Sequence, residues 1–76
     1  GRFTSDTETV IDGDGQPGWD VELYRNDSYV GGATVDDTGR YSFERVSLFA
    51  GDNRIKIVQY GLEGERREEE RLITVL

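Results

Sequence analysis

Sixteen carboxylates, one lysine, eight arginines and neither histidine nor cysteine define the chemistry open to this 76-residue chain. Nucleophilic triads with an imidazole base, thiolate chemistry and the common zinc constellations are excluded by composition. Oxygen chemistry remains. Asp12-Gly13-Asp14-Gly15 sets two carboxylates in alternation, as at the opening of a calcium loop, and Asp36-Asp37 is a second acidic pair. A complete loop needs further oxygen ligands and a closing acid, whereas Gln16-Pro17-Gly18-Trp19 follows directly, and turn chemistry alone explains Asp-Gly repeats. Weak calcium binding at Asp12/Asp14 or Asp36/Asp37 is thus the alternative to plain turns, and the expectation is a chain without cofactor or metal.

Carboxylate pairs for glycoside hydrolysis must be held about 5 to 9.5 Å apart in a cleft, which one small sheet sandwich rarely builds. Asp20, Glu22 and Glu44 read instead as charges on solvent faces. Ser28, Ser42 and Ser47 have no histidine to activate them, and Lys56 would need desolvation beside a serine to act as a base. No enzymatic activity is expected. Tyr24, Tyr29 and Tyr60 could form an aromatic platform for sugars or for a protein partner, although packing on a sheet is the simpler account. The mixed charges of residues 65–71 suit a basic partner or, more simply, a solvated edge.

The elements that must position these groups are short. Residues are 34% hydrophobic and 33% charged, the formal charge is −7, and the length allows one domain with one small core. The longest apolar run, Leu48-Phe49-Ala50, falls far below the roughly 20 residues of a membrane helix, and a negative surface repels phosphate backbones. Neither membrane insertion nor nucleic acid is expected. The chain starts Gly1-Arg2-Phe3 and contains no methionine, which reads as a module cut from a longer polypeptide.

Turn formers recur at residues 12–18, 26–28, 36–39, 50–53 and 61–64. Roughly 8 to 12 residues between turns marks an all-β sandwich or barrel. Residues 19–25 alternate, with Trp19, Val21 and Leu23 on one face; Tyr41 and Phe43 alternate likewise. Asp36-Asp37-Thr38-Gly39 is expected to fold the 40–44 segment back onto residues 29–35 as a hairpin, with a bulge or close backbone approach at Gly31-Gly32. Residues 54–60 should be the most buried strand after 19–25, with Ile55 and Ile57 inward. In the last segment, 65–76, residues 65–71 are good helix formers but offer no apolar stripe, and the five that follow are apolar or β-branched, so a strand is expected, hairpinned to 54–60 and charged along its edge. Residues 7–11 read as a short edge strand after a loose start at 1–6. The fold class is all-β, an antiparallel two-sheet β-sandwich of six or seven strands without helix.

The ordered series Pro17-Gly18-Trp19-Asp20-Val21-Glu22-Leu23-Tyr24-Arg25, Tyr29-Val30-Gly31, Val35-Asp36-Asp37-Thr38-Gly39-Arg40-Tyr41-Ser42-Phe43 and residues 48–53 resembles bacterial immunoglobulin-like and carboxypeptidase-regulatory-like β-sandwich modules. The resemblance spans residues 12–75. It implies Trp19, Val21, Leu23, Tyr41 and Phe43 in the core, with Asp37 and Gly39 as turn residues. It further implies a non-catalytic structural or adhesion-type spacer in a large secreted, cell-surface or periplasmic protein, partnered by neighbouring domains of the same chain. Termini at opposite ends of a sandwich would suit a rod segment. The alternatives are a carbohydrate- or protein-binding module using loops at one end, and an accessory domain beside a catalytic one.

Overall fold

Apolar residues at every second position, broken by Gly, Asn and Asp, resolve into six strands in the computed structural model, which describes residues 7–76. They are β1 (Glu8–Asp14), β2 (Asp20–Arg25), β3 (Ser28–Thr34), β4 (Arg40–Ser47), β5 (Gly51–Tyr60) and β6 (Arg66–Val75), with no helix among the described residues. The expected loose start at 1–6 lies outside them. Two antiparallel sheets result, one of β1-β4 and one in the order β3-β2-β5-β6. The chain is all-β with two antiparallel sheets, consistent with a β-sandwich.

The facing sides meet in one core. Ile11, Tyr41, Phe43, Val46 and Leu48 come from the smaller sheet and the connection after it, and Val21, Leu23, Ile55 and Ile57 from the larger, with Val35 at the turn between β3 and β4. Each fully buried Ile, Leu or Val contributes roughly 1.5 to 3 kcal/mol, so this short set must be well packed for so small a chain. Trp19 departs from its expected place. It precedes β2 rather than lying in it, and it is half-buried at the rim, with the Arg67 guanidinium 5.7 Å from its ring centroid. The most buried strand is therefore β5, where Asn53, Ile55, Ile57, Val58 and Gln59 are all buried.

The expected hairpin of residues 29–35 with 40–44 does not form. β3 pairs with β2 and β4 pairs with β1, so the Asp36 to Gly39 turn carries the chain between sheets. Local turn chemistry was read correctly, since Gly39 sits at φ +82° and its N–H donates to Asp36 O at 2.9 Å. What decides the pairing is the two-residue turn at Asn26 (φ 49°) and Asp27 (φ 70°), positive at both positions as a type I′ hairpin demands. It joins β2 to β3 as a hairpin, and β4 pairs with β1. Asp12-Gly13-Asp14, expected as turn, continues β1 in register with Ser42, Tyr41 and Arg40.

Two bulges keep the apolar sets inward. Opposite Val10, β4 carries an extra residue at Glu44-Arg45, with Arg45 at φ +61°. The sequence Tyr41-Ser42-Phe43-Glu44-Arg45-Val46-Ser47-Leu48 shifts its alternation there, and the bulge lets Val46 and Leu48 follow Tyr41 and Phe43 into the core. A left-handed non-glycine residue costs about 1 to 2 kcal/mol, less than burying those two side chains returns. Opposite the Leu23–Tyr24 step of β2, β3 carries the extra residue Val30, beside the glycine pair flagged in the sequence.

Both ends of the described chain reach one pole. Leu48 N–H donates to Thr7 O at 3.0 Å, and Gly51 at the start of β5 pairs with Val75 at the end of β6. This pole, called proximal below, holds the β4–β5 connection and the Asn26-Asp27 turn. The distal pole holds residues 15–19, 35–39 and 61–65, joined by Gly15 N–H to Gly39 O and Gly18 N–H to Val35 O, each 2.9 Å.

Candidate functional site

The acidic pairs resolve into surface ion pairs and a turn cap. Asp12 and Asp14 project from β1 on either side of Arg40, whose guanidinium lies 3.6 Å from Asp12 Oδ1 and 2.6 Å from Asp14 Oδ1. That cation stands where a calcium ion would have to compete. Asp36 is occupied differently: its Oδ1 accepts from Thr38 Oγ1 at 2.6 Å, Thr38 N at 2.9 Å and Arg40 N at 3.0 Å. The Thr38 hydroxyl, then the Arg40 N–H, hold its carboxyl below the usual carboxylate range. Among the described residues no cluster of three or more acids converges on a metal-sized site. The arrangement closes a β-turn and balances charge; exposed pairs of this kind contribute about 0 to 1 kcal/mol.

The residues weighed for catalysis are dispersed. Ser42 Oγ donates to Glu44 Oε2 at 2.5 Å on the outside of the smaller sheet, while Ser28 and Ser47 sit at strand ends. Lys56 lies on the larger sheet with its ammonium 5.1 Å from the Tyr24 ring centroid, next to no serine. Residues 66–71 form the first half of β6, an outer strand of the larger sheet, with Arg66–Glu68 at 2.8 Å and Arg71–Glu69 at 2.7 Å. Charge on an edge discourages pairing with other chains, as the composition suggested.

The three tyrosines do converge, on the outer face of the larger sheet. Strand register sets rows across this face. Thr34, Asp20, Tyr60 and Arg66 form the row nearest the distal pole, Gly32, Glu22, Val58 and Glu68 the next, and Tyr29, Tyr24, Lys56 and Glu70 the third. Tyr24 and Tyr29 meet edge to face, centroids 5.7 Å apart at 73°. Tyr24 Oη donates to Glu22 Oε1 at 2.7 Å, a bond that, with a smaller desolvation contribution, pushes the phenol up to about 12. Val58 is buried although it belongs to this face, so the surrounding side chains lie over it. Tyr29 remains 61% exposed and Tyr60 37%.

Sequence reasoning named all three tyrosines but could not bring them together, because their shared face depends on which strands pair. It treated Asp20 and Glu22 as solubilising charges; the structure places both between the Tyr29 and Tyr60 strands. Gly32 of the doubled glycine carried a signal, since Tyr29 Oη takes the space of a side chain there, whereas Gly31 has open space around it. No protein-family model matches the chain, and no curated protein matches it either.

Proposed function

We propose that the chain is a non-catalytic, adhesion-type module of a larger exported or cell-surface protein, held at its proximal pole and presenting its distal pole and outer sheet face. The observation that carries this reading is the meeting of Thr7 and Val75 with the same β4–β5 connection. A domain joined to its neighbours through one pole stands off them like a bud, leaving the opposite pole unobstructed. The ordered sandwich-module resemblance supports export, and the dispersed Ser, Lys and acidic groups support a role without catalysis. A plain spacer would require chain before Glu8 to run back along the sandwich to the distal pole.

Three copies joined head to tail and examined by small-angle X-ray scattering test this. The expected maximum dimension grows per copy by clearly less than the 49 Å long axis of the domain. Growth by a full length per copy would establish the rod.

A further inference from the structure

We propose that the outer face of the larger sheet binds a neutral saccharide, with the Tyr29 ring as stacking platform and Asp20 and Glu22 as hydroxyl acceptors. The inference deepens the module reading by naming its ligand class, and rests on it for the accessibility of this face.

The starting point is Gly32. A Cβ there would stand 3.1 Å from Tyr29 Oη, so the ring leans along its own strand over the backbone of residue 32, in space a side chain would fill. Tyr24 props the ring from β2, edge to face. The ring is thus positioned before any ligand arrives, yet stays 61% exposed. An aromatic face is electron-rich, and it attracts the polarised C–H groups of a pyranose as it does other electropositive edges. Pre-positioning matters because ordering a free side chain on binding costs about 0.5 to 1.5 kcal/mol.

Beside the ring is a shallow depression of about 350 Å³ lined by Asp20, Glu22, Tyr29, Gly32 and Thr34. Its polar side-chain groups are two carboxylates and the hydroxyls of Tyr29 and Thr34, a set that mostly accepts hydrogen bonds. One Glu22 oxygen is engaged by Tyr24 Oη, which orients the carboxylate and leaves the second oxygen for a ligand hydroxyl. Across β2, Tyr60 lies two strand spacings from β3, about 10 Å, so a second ring flanks the acids. Charge selects within the class. The overall charge of −7, with Asp20, Glu22, Glu68 and Glu70 outnumbering Lys56 and Arg66 on this face, disfavours anionic sugars. A polyhydroxylated neutral ligand avoids that penalty and offers both C–H faces for the ring and hydroxyls for the acids. The rows lie toward the distal pole, the end away from the tether.

Titrating the ¹⁵N-labelled chain separately with cellohexaose, xylohexaose and mannohexaose to about 10 mM tests the assignment by amide shifts, a range that detects millimolar affinity. At least one should move the Asp20, Glu22, Gly32 and Thr34 amides and saturate. Tyr29→Thr should weaken that binding about tenfold or more, a loss of ~1.4 kcal/mol. Gly32→Val, which places methyls where the ring leans, and Asp20→Asn should each weaken it, with circular dichroism unchanged; either one suffices if Tyr29→Thr does not fold. The proposal is overturned if none of the three moves these amides, if the shifts persist in folded Tyr29→Thr, or if hexagalacturonate or a lysine-rich peptide binds this face more tightly. A failed titration with compact tandem scattering rejects the sugar and leaves the module; extended tandem scattering rejects the module's geometry whichever way the titration falls.

Discussion

Asn53 and Gln59 stand six residues apart on the same inward face of β5, both buried, and they are treated in opposite ways. Asn53 is fully engaged at the proximal pole. Its Oδ1 accepts from Phe49 N at 2.9 Å, and its Nδ2 donates to Phe49 O at 2.9 Å, Gly51 O at 3.1 Å and Ile73 O at 3.2 Å. One side chain thereby ties the β4–β5 connection to β6. Gln59, near the distal pole, makes a single bond from Nε2 to Asp14 O at 3.0 Å, and its buried Oε1 has no protein partner. A buried amide with all its bonds made specifies structure, and one left half-made is a liability. The difference teaches that Asn53 locks the β4–β5 connection to β6 from within, while Gln59 holds its end of β5 by one bond; Arg25 Nε, at the proximal pole, is likewise buried without a protein partner.

Breaking the locked end should produce the largest effect. Asn53→Ala leaves the Phe49 N–H and three carbonyls without their partner, and a loss of roughly 3 kcal/mol or more is expected. In thermal unfolding that corresponds to a midpoint lower by about 12 °C or more for a domain of this size. A fall below about 4 °C would show that water replaces the amide and that this pole is not locked.

At the loose end, Gly15 is confined by the same glutamine. A Cβ at residue 15 would collide with Gln59 Oε1 and come within 2.8 Å of a Val35 methyl. Gly15→Ala should destabilise by about 1 to 3 kcal/mol, and in a Gln59→Ala background much of that penalty should vanish. Additive losses in this double-mutant cycle would place the strain on Val35 instead. Gln59→Met keeps the volume and removes both the lone bond and the orphaned oxygen, so denaturant melts should change by under about 1 kcal/mol. A loss as large as that of Asn53→Ala would erase the contrast between the two amides.

The smallest effect concerns acid. The carboxyl of Asp36 is lowered in the folded chain, so its contribution is present above the unfolded carboxylate range and is lost as pH falls through the folded value. Wild type should therefore lose slightly more stability than Asp36→Ala on going from pH 6 to about 2.5, and the two should differ most at neutral pH. Parallel pH profiles would remove the turn cap from the account of the distal pole.

Some of this was plain from residue order. Alternation in β2, β4 and β5 exposed the inward sets, and the missing apolar stripe in residues 66–71 ruled for strand over helix. The frame shift between Phe43 and Val46 was there to be seen, and it marks the bulge at Arg45. The Asp36 to Gly39 turn was legible as a turn but not as a crossing between sheets, because a turn sets only the direction of the next few residues. Trp19 read as core from its size and spacing, yet strand pairing begins one residue later and leaves it on the rim. The tyrosine face was illegible for a similar reason: Tyr24, Tyr29 and Tyr60 share a face through register alone.

Composition and alternation, by themselves, determined that this chain folds as strands around a single apolar interior and carries no imidazole or thiol for catalysis. Those properties are local, decided by each side chain's affinity for water and by the two-residue period of an extended backbone. Partner choice among strands, the shared pole of the two ends and the glycine over which Tyr29 leans were decided by the tertiary structure. Backbone hydrogen bonds are nearly alike from strand to strand, so the choice falls to turn geometry and to which combination of faces excludes water most completely.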